Sequence, residues 1–370
     1  MANIFDYIIW RGDILFNEVP LNEIDSLILS RLSYLPFDNL IKNDEYITIE
    51  EAYRRFEINN KQGLILQKED LKLFEKLARC ERFKNLYLTE YVNKVSKEEV
   101  KQFSAITIFL PNNISYVSYR GTDNTIVGWK EDFNMGLMSH LPSQKDAVKY
   151  LDNIAKKYKG ELIIGGHSKG GNLAVYASIF CNNSTKKRII EIYNEDGPGF
   201  DTEITDTKEY KEIINKVHAY IPQSSVFGRL LNHQEKCTIV RSIASGIMQH
   251  DLYSWQVLGS KFERLENVTQ SSEFVNKSIR LWLEQVSQDK REQFFNILFE
   301  MLITSETSTI DIYPRNWLKL SRKIVNEYNN IDPENKEIIS KALHVFLDIV
   351  KDNIKEEILQ KNNVKKDAKK

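Results

Sequence analysis

The segment Glu161–Ala174, ELIIGGHSKGGNLA, constrains this chain more than any other. An apolar run ends in Gly-His-Ser-Lys-Gly, and small and apolar residues of helical character follow at once. This is the G-x-S-x-G pattern in a strand–turn–helix setting. A serine so placed sits on a sharp turn, with its hydroxyl raised above a sheet edge. Gly166 and Gly170, two positions to either side of Ser168, remove the β-carbons that would collide there. A helix starting near Lys169 aims its unpaired N–H groups and positive dipole end at the place where an oxyanion would form. A phosphate loop fits poorly, because it needs Gly-Lys-Ser/Thr and the order here is Ser168-Lys169-Gly170. The bland alternative is a structural glycine-rich turn.

The rest of the chain supplies a setting for such a turn. Ala105–Leu110, Ile114–Arg120, Leu162–Gly165, Arg188–Tyr193, Lys216–Ile221 and Cys237–Val240 read as strands. Leu21–Leu35, Glu69–Cys80, Lys145–Tyr158, Gly170–Phe180 and Lys208–Ile214 read as helices. Alternation of the two predicts an α/β fold, a mostly parallel sheet with helices on both faces. From about Asn267 the pattern becomes helical, with runs at Ser271–Val286, Lys290–Ile303, Asn316–Asn329 and Asn335–Lys351. The expected organisation is an α/β domain over 1–266 with an N-terminal helical segment, a helical appendage over 267–360, and a disordered basic tail over 361–370.

Composition excludes several classes. Lys and Arg number 51 against 52 Asp and Glu, a formal net charge of −1, so no overall basic field invites nucleic acid. No apolar stretch reaches the roughly 20 residues of a membrane helix, and none near the start suits a signal peptide. A peripheral membrane contact stays open. Cys80, Cys181 and Cys237 are few, odd in number and far apart, which argues for a reducing cytoplasm and buried thiols. No metal-ligand spacing or cofactor fingerprint is present, so none is expected.

A serine nucleophile needs a base, and the base an orienting acid. Of six histidines, His167 adjoins Ser168 with its ring directed away, a supporting residue. His140 and His233 lie in polar loops, His218 in a strand-like run and His344 on a C-terminal helix. His250, in Gln249-His250-Asp251 beyond the last predicted strand, is the preferred base, with His233 second. Ligand-facing residues collect at the carboxyl ends of parallel strands. Asp196, in Asn194-Glu195-Asp196-Gly197-Pro198-Gly199 just past Arg188–Tyr193, is therefore the preferred acid. Glu195, Asp201 and Asp251 are the alternatives, and Asp251 suffers from being next to His250 in sequence.

Tyr119-Arg120-Gly121-Thr122-Asp123, then Trp129-Lys130-Glu131-Asp132, then Gly-His-Ser-Lys-Gly-Gly resembles the fungal-type (class 3) lipase branch of the α/β-hydrolases over roughly residues 100–260. The resemblance implies an oxyanion hole formed by the backbone N–H groups of Thr122 and Lys169, with Arg120, Trp129 and Asp132 in support. More closely, GHSKGGN, DGPGF and QHD resemble a bacterial lipase-like domain family of unknown function. Two departures stand out. The lipases place an apolar residue where this chain has Lys169, a cation expected to make the site less oily and more tolerant of an anionic substrate. They also carry their acid after a later strand, and the matching Ala219–Val226 contains no carboxylate. The expectation is therefore hydrolysis of a small-molecule or lipid carboxylic ester through Ser168, His250 and Asp196. The competing expectation is a catalytically weak or inactive binding protein on the same scaffold.

Overall fold

The computed structural model describes residues 2–42, 44–59, 66–123, 126–135, 140–303 and 326–367. The chain divides into two units, 1–123 with 127–269, and 124–126 with 270–370.

The first unit begins with α1 (Ile4–Arg11) and α2 (Glu23–Leu32). Each starts at an Asn-x-x-Asp box, Asn3 with Asp6 and Asn22 with Asp25. The reciprocal bonds satisfy N–H groups that the first turn leaves orphaned. There follow β1 (Ile47–Thr48), α3 (Ile49–Ile58), α4 (Lys68–Arg79), α5 (Glu81–Lys84), β2 (Tyr87–Ser96), β3 (Lys101–Leu110) and β4 (Ile114–Tyr119). The chain continues through α6 (Ile126–Asn134), α7 (Pro142–Lys157), β5 (Glu161–His167), α8 (Lys169–Phe180), β6 (Ile189–Glu195), β7 (Val217–Pro222) and β8 (Cys237–Val240). Short strands β9 (Val257–Leu258), β10 (Lys261–Phe262) and β11 (Arg264–Leu265) close it.

Among the described residues the main sheet has nine strands in the order β1-β2-β3-β4-β5-β6-β7-β8-β11. Strands β4 to β8 run parallel and carry the functional edge. The fold is that of an α/β-hydrolase, with more antiparallel flank than the sequence suggests. Strands β1 to β4 pair antiparallel, as does β11 with β8. Pro111-Asn112-Asn113 between β3 and β4 is too short for a crossover, which takes a dozen or more residues. Asn112 and Asn113 adopt left-handed φ of 61° and 59°, as tight turns ask of asparagine. Strand β2 escapes the sequence reading because a bulge between Thr89 and Val92, with Glu90 at φ 53°, breaks its alternation.

Successive residues of a strand face opposite sides. Leu162 and Ile164 of β5 pack with α7 and α8, whereas Ile163 joins the cluster built with α1 to α4. Each such fully buried aliphatic side chain contributes about 1.5–3 kcal/mol. Helix α8 is buried along Lys169–Ile179, so the segment following Ser168 is enclosed nearly all round.

The second unit contains helices Gln270–Gln285, Gln288–Ile303 and Pro333–Asp367. Trp282, Val286, Ala342 and Ile349 form its core, and the Trp282 indole donates to the Ala342 carbonyl at 2.9 Å. Most of the expected helix Asn316–Asn329 lies outside the described residues. The last helix runs on to Asp367, into the stretch read as a tail, where neither Pro nor Gly interrupts it. No described helix is long and apolar enough to cross a membrane.

Candidate active site

The end of β5 delivers Ser168 to a strained turn. Its φ of 59° and ψ of −133° are unusual for a residue with a side chain, at a cost of about 1–3 kcal/mol. The turn is over-determined by its surroundings. Ser168 N–H donates to the Glu195 carbonyl at 2.9 Å, and Gly171 N–H to the Ser168 carbonyl at 2.9 Å. A β-carbon on Gly166 would lie 2.3 Å from the Gly170 backbone, and one on Gly170 would lie 2.2 Å from the Tyr119 carbonyl. The glycines let strand, turn and helix approach more closely than any side chain permits.

His250 and Asp196 converge on this serine. His250 Nε2 lies 2.9 Å from Ser168 Oγ, and His250 Nδ1 lies 2.6 Å from Asp196 Oδ2. The three groups come from the β5–α8 turn, the end of β6 and the loop beyond β8. Asp196 is fully buried, while the His250 side chain keeps 24% of its exposure and so meets both carboxylate and solvent. The loop after β7 completes the carboxylate's surroundings. Ser225 Oγ donates to Asp196 Oδ1 at 2.5 Å, and Gly228 N–H to the same oxygen at 3.2 Å. Ser225 and Gly228 have no motif to announce them; they are visible only once β7 is laid beside β6.

Two rings and a backbone bond hold the imidazole. Phe227 packs at 4.5 Å and His167 at 4.6 Å between ring centroids. His167 Nε2 lies 2.9 Å from the His250 carbonyl oxygen. Burial, with a smaller contribution from His250, keeps the His167 ring neutral, well below the ordinary histidine range. A neutral ring donating to a carbonyl carries its proton on Nε2. The Tyr34 hydroxyl lies 3.2 Å from His167 Nδ1 and from its carbonyl oxygen.

The Arg120-Gly121-Thr122 turn abuts the elbow. A β-carbon on Gly121 would lie 2.6 Å from the His167 carbonyl and 3.1 Å from Ser168 Cβ. Among the described residues, neither the Thr122 nor the Lys169 backbone N–H finds an acceptor. Thr122 Oγ1 donates to Asp132 Oδ2. Burial pushes the Asp132 carboxyl up to about 6, and Lys169 nearby opposes that rise. Arg120 donates to Asn93 and Asp123 at 3.0 and 3.2 Å, tying the turn to β2. The side chain of Trp129 lies outside the described residues.

Lys169 corrects one expectation. Its side chain is 1% exposed, and its ammonium donates to Gln102 Oε1 at 2.7 Å, the Gln102 carbonyl at 3.0 Å and Glu131 Oε2 at 3.0 Å. The charge is buried and paired, so it is not presented to an anionic substrate. An interior carboxylate, Glu131, had no sequence signal linking it to the elbow.

The other candidates have separate partners. Asp201 caps the short helix Thr202–Thr205, and Asp251 caps Leu252–Ser254. Glu195 accepts from Ser26 Oγ at 2.8 Å beneath the elbow. His233 pairs with Glu235 at 2.9 Å, His140 with Tyr176 at 2.6 Å, and His218 stacks on Tyr193. No cluster of potential metal ligands occurs among the described residues.

A serine on a strand–turn–helix elbow, at the carboxyl edge of parallel strands and with an imidazole and a carboxylate in line, defines an α/β-hydrolase-fold protein. The chain belongs to the Mbeg1-like family, whose model matches residues 77–300. No curated protein matches it. Among solved structures it is similar to a mutant of MDLA from Penicillium cyclopium, at 13% identity over 65% of this chain and 83% of that one, with a TM-score of 0.38. It is also similar to a Rhizomucor miehei lipase propeptide complex, at 12% identity over 64% and 79%, with a TM-score of 0.39.

Proposed function

We propose that this chain is a serine hydrolase that cleaves a carboxylic ester of a small molecule or lipid. The observation that carries this reading is the continuous line Ser168 Oγ–His250 Nε2–His250 Nδ1–Asp196 Oδ2, at 2.9 and 2.6 Å. With Asp196 ionised, the Nδ1–H donates to it, leaving the Nε2 lone pair to take the serine proton. Ser168 Oγ attacks the ester carbonyl carbon as its proton passes to Nε2. The carbonyl oxygen becomes an oxyanion, received by the N–H groups of Thr122 and Lys169. The tetrahedral intermediate collapses as His250 protonates the leaving alcohol, giving an acyl-Ser168 ester. Water, deprotonated by His250, then attacks the acyl carbon, and the second tetrahedral intermediate collapses as His250 returns the proton to Ser168 Oγ, breaking the acyl–serine bond and releasing the acid. The buried carboxylate and the ring packed between His167 and Phe227 are pre-set for this sequence, so little reorganisation is needed.

In this reading the α/β part, 1–266, holds the whole site, and the helices over 267–360 are an appendage. The free thiols of Cys80, Cys181 and Cys237 support a cytoplasmic location. The test is labelling of Ser168 by a fluorophosphonate probe, together with hydrolysis of p-nitrophenyl esters of graded chain length. The intact protein is labelled and turns over; Ser168→Ala does neither. Equal labelling of the two proteins overturns the mechanism.

A further inference from the structure

Helix α6 places Glu131 and Asp132 next to each other in sequence, and each holds a different residue of the oxyanion pair. Asp132 takes the Thr122 hydroxyl. Glu131 takes the Lys169 ammonium at 3.0 Å. Glu131 is itself fully buried, and both of its oxygens accept hydrogen bonds. Its Oε1 accepts the Ser143 N–H at 3.0 Å, and its Oε2 the Gln102 N–H at 2.9 Å. One carboxylate thus joins the start of β3, the first turn of α7 and the residue directly after Ser168. The Lys169 ammonium adds the Gln102 carbonyl and side chain at 3.0 and 2.7 Å, and stands 3.7 Å from Asp132 Oδ1.

A buried ion pair is a poor device for stability alone. Apolar side chains of similar volume often serve a fold as well or better. What the pair does supply is direction, because three donors on a tetrahedral nitrogen fix where the side chain ends. The residue so fixed is the one directly after Ser168, whose backbone N–H finds no acceptor among the described residues. Resting on the proposed hydrolase reading, we infer that Glu131 is a positioning residue for the oxyanion site, acting through the Lys169 side chain. It anchors the first residue of α8 to β3 and α6, while its neighbour Asp132 anchors Thr122. The two N–H groups are therefore held in register by one turn of one helix. Misplacement of a group by about 1 Å costs about 10²-fold in rate.

The test compares the intact protein with Lys169→Met, with Lys169→Met combined with Glu131→Leu, and with Glu131→Gln. Each retains the Lys169 backbone N–H. Folding is checked by near-ultraviolet circular dichroism and thermal melting, and kcat and KM are measured on p-nitrophenyl acetate. The apolar double variant is expected to fold but to melt below the intact protein, because the Ser143 and Gln102 N–H groups lose their acceptor, and to lose about 10²-fold in kcat with KM changed by no more than about twofold. Should the double variant fail to fold, Glu131→Gln, which keeps the shape and one acceptor oxygen, is read by the same split. A folded variant with intact kcat overturns the positioning role and leaves the triad standing. If the intact protein shows no turnover that depends on Ser168, the hydrolase reading fails and this inference with it.

Discussion

Asp196 Oδ2 lies 2.6 Å from His250 Nδ1, although Asp196 directly follows β6, the strand hydrogen-bonded to the β5 strand that leads into Ser168. The class 3 lipase pattern would put a carboxylate after the next strand, β7. The β7 loop instead offers the Ser225 hydroxyl, which donates to the other oxygen of Asp196 at 2.5 Å. The acid reaches the imidazole from one strand nearer, with a hydroxyl steadying it from the side where the carboxylate is missing.

This arrangement makes Asp196→Asn a test with a defined direction. Ser225 and Gly228 both donate to Oδ1, so an asparagine at 196 keeps its oxygen there and turns its amide nitrogen toward His250. The amide then donates to Nδ1, and the imidazole carries its proton on Nε2, where it cannot accept the serine proton. The expected loss is about 10⁴-fold in kcat with the fold intact, as for the corresponding change in a related geometry. Steady-state kinetics beside a thermal melt check it; a loss below tenfold would show that Asp196 does not set the tautomer.

Ser225→Ala removes one of the two donors to Asp196 Oδ1 and leaves Gly228 N–H at 3.2 Å. A buried hydrogen bond to a charged group is worth about 1.5–3 kcal/mol. The variant is expected to lose that much stability in urea unfolding and to slow by less than Asp196→Asn, because the carboxylate still faces Nδ1. Ser224→Ala, which loses contact with Thr269 and not with Asp196, is the comparison. Equal stability of the two variants would remove Ser225 from the site.

How much of this was legible in the sequence follows from the range of each signal. The elbow is local: Gly166, Ser168 and Gly170 fall within one turn, and their spacing carries the strain of Ser168. That Asp196 would come near Ser168 followed from the gathering of functional groups at the carboxyl ends of parallel strands, and that His250 would do so from its place beyond the last predicted strand. Lys169 was misread, since residue type says nothing of direction and Glu131, its partner, lies 38 positions upstream. Tyr34, Ser225, Phe227 and Gly228 carry no motif, and only the tertiary fold brings them to His167, Asp196 and His250. The capping boxes at Asn3 and Asn22 were available signals for α1 and α2, whereas the sequence reading rests on periodicity alone, which marks α2 and not α1.

Gly170→Ala tests the close approach of strand and helix. The added β-carbon would meet the Tyr119 carbonyl at 2.2 Å and the Gly121 N–H at 3.0 Å, both backbone groups that cannot swing aside. Overpacking of this kind costs about 1–3 kcal/mol. Because the displaced elements carry Ser168 and Thr122, kcat is expected to fall by about 10²-fold or more. A melting curve and kinetics on the same sample check both. Full activity in Gly170→Ala would mean that the elbow tolerates a shift that its geometry says it cannot.

Glu195 is expected to set an alkaline limit. It sits buried beneath the elbow, its Oε1 accepting from Ser26 Oγ, and Oε2 has no partner among the described residues. Burial pushes its carboxyl up from the ordinary 4.5 to about 8. Between those values the folded protein keeps a proton that the unfolded chain has released, so the folded state binds more protons and stability falls as pH rises. The contribution is complete below about pH 4.5 and lost above about pH 8, at up to about 1.4 kcal/mol per pH unit. Glu195→Gln is neutral throughout and has no such loss. Its stability relative to the intact protein is therefore expected to improve between pH 5 and pH 8.5, read as the difference in urea midpoints. The carbonyl that accepts the Ser168 N–H at 2.9 Å also belongs to Glu195, so ionisation there is expected to loosen the elbow. Alkaline loss of kcat should begin at lower pH in the intact protein than in Glu195→Gln, and parallel midpoints at both pH values would refute the assignment.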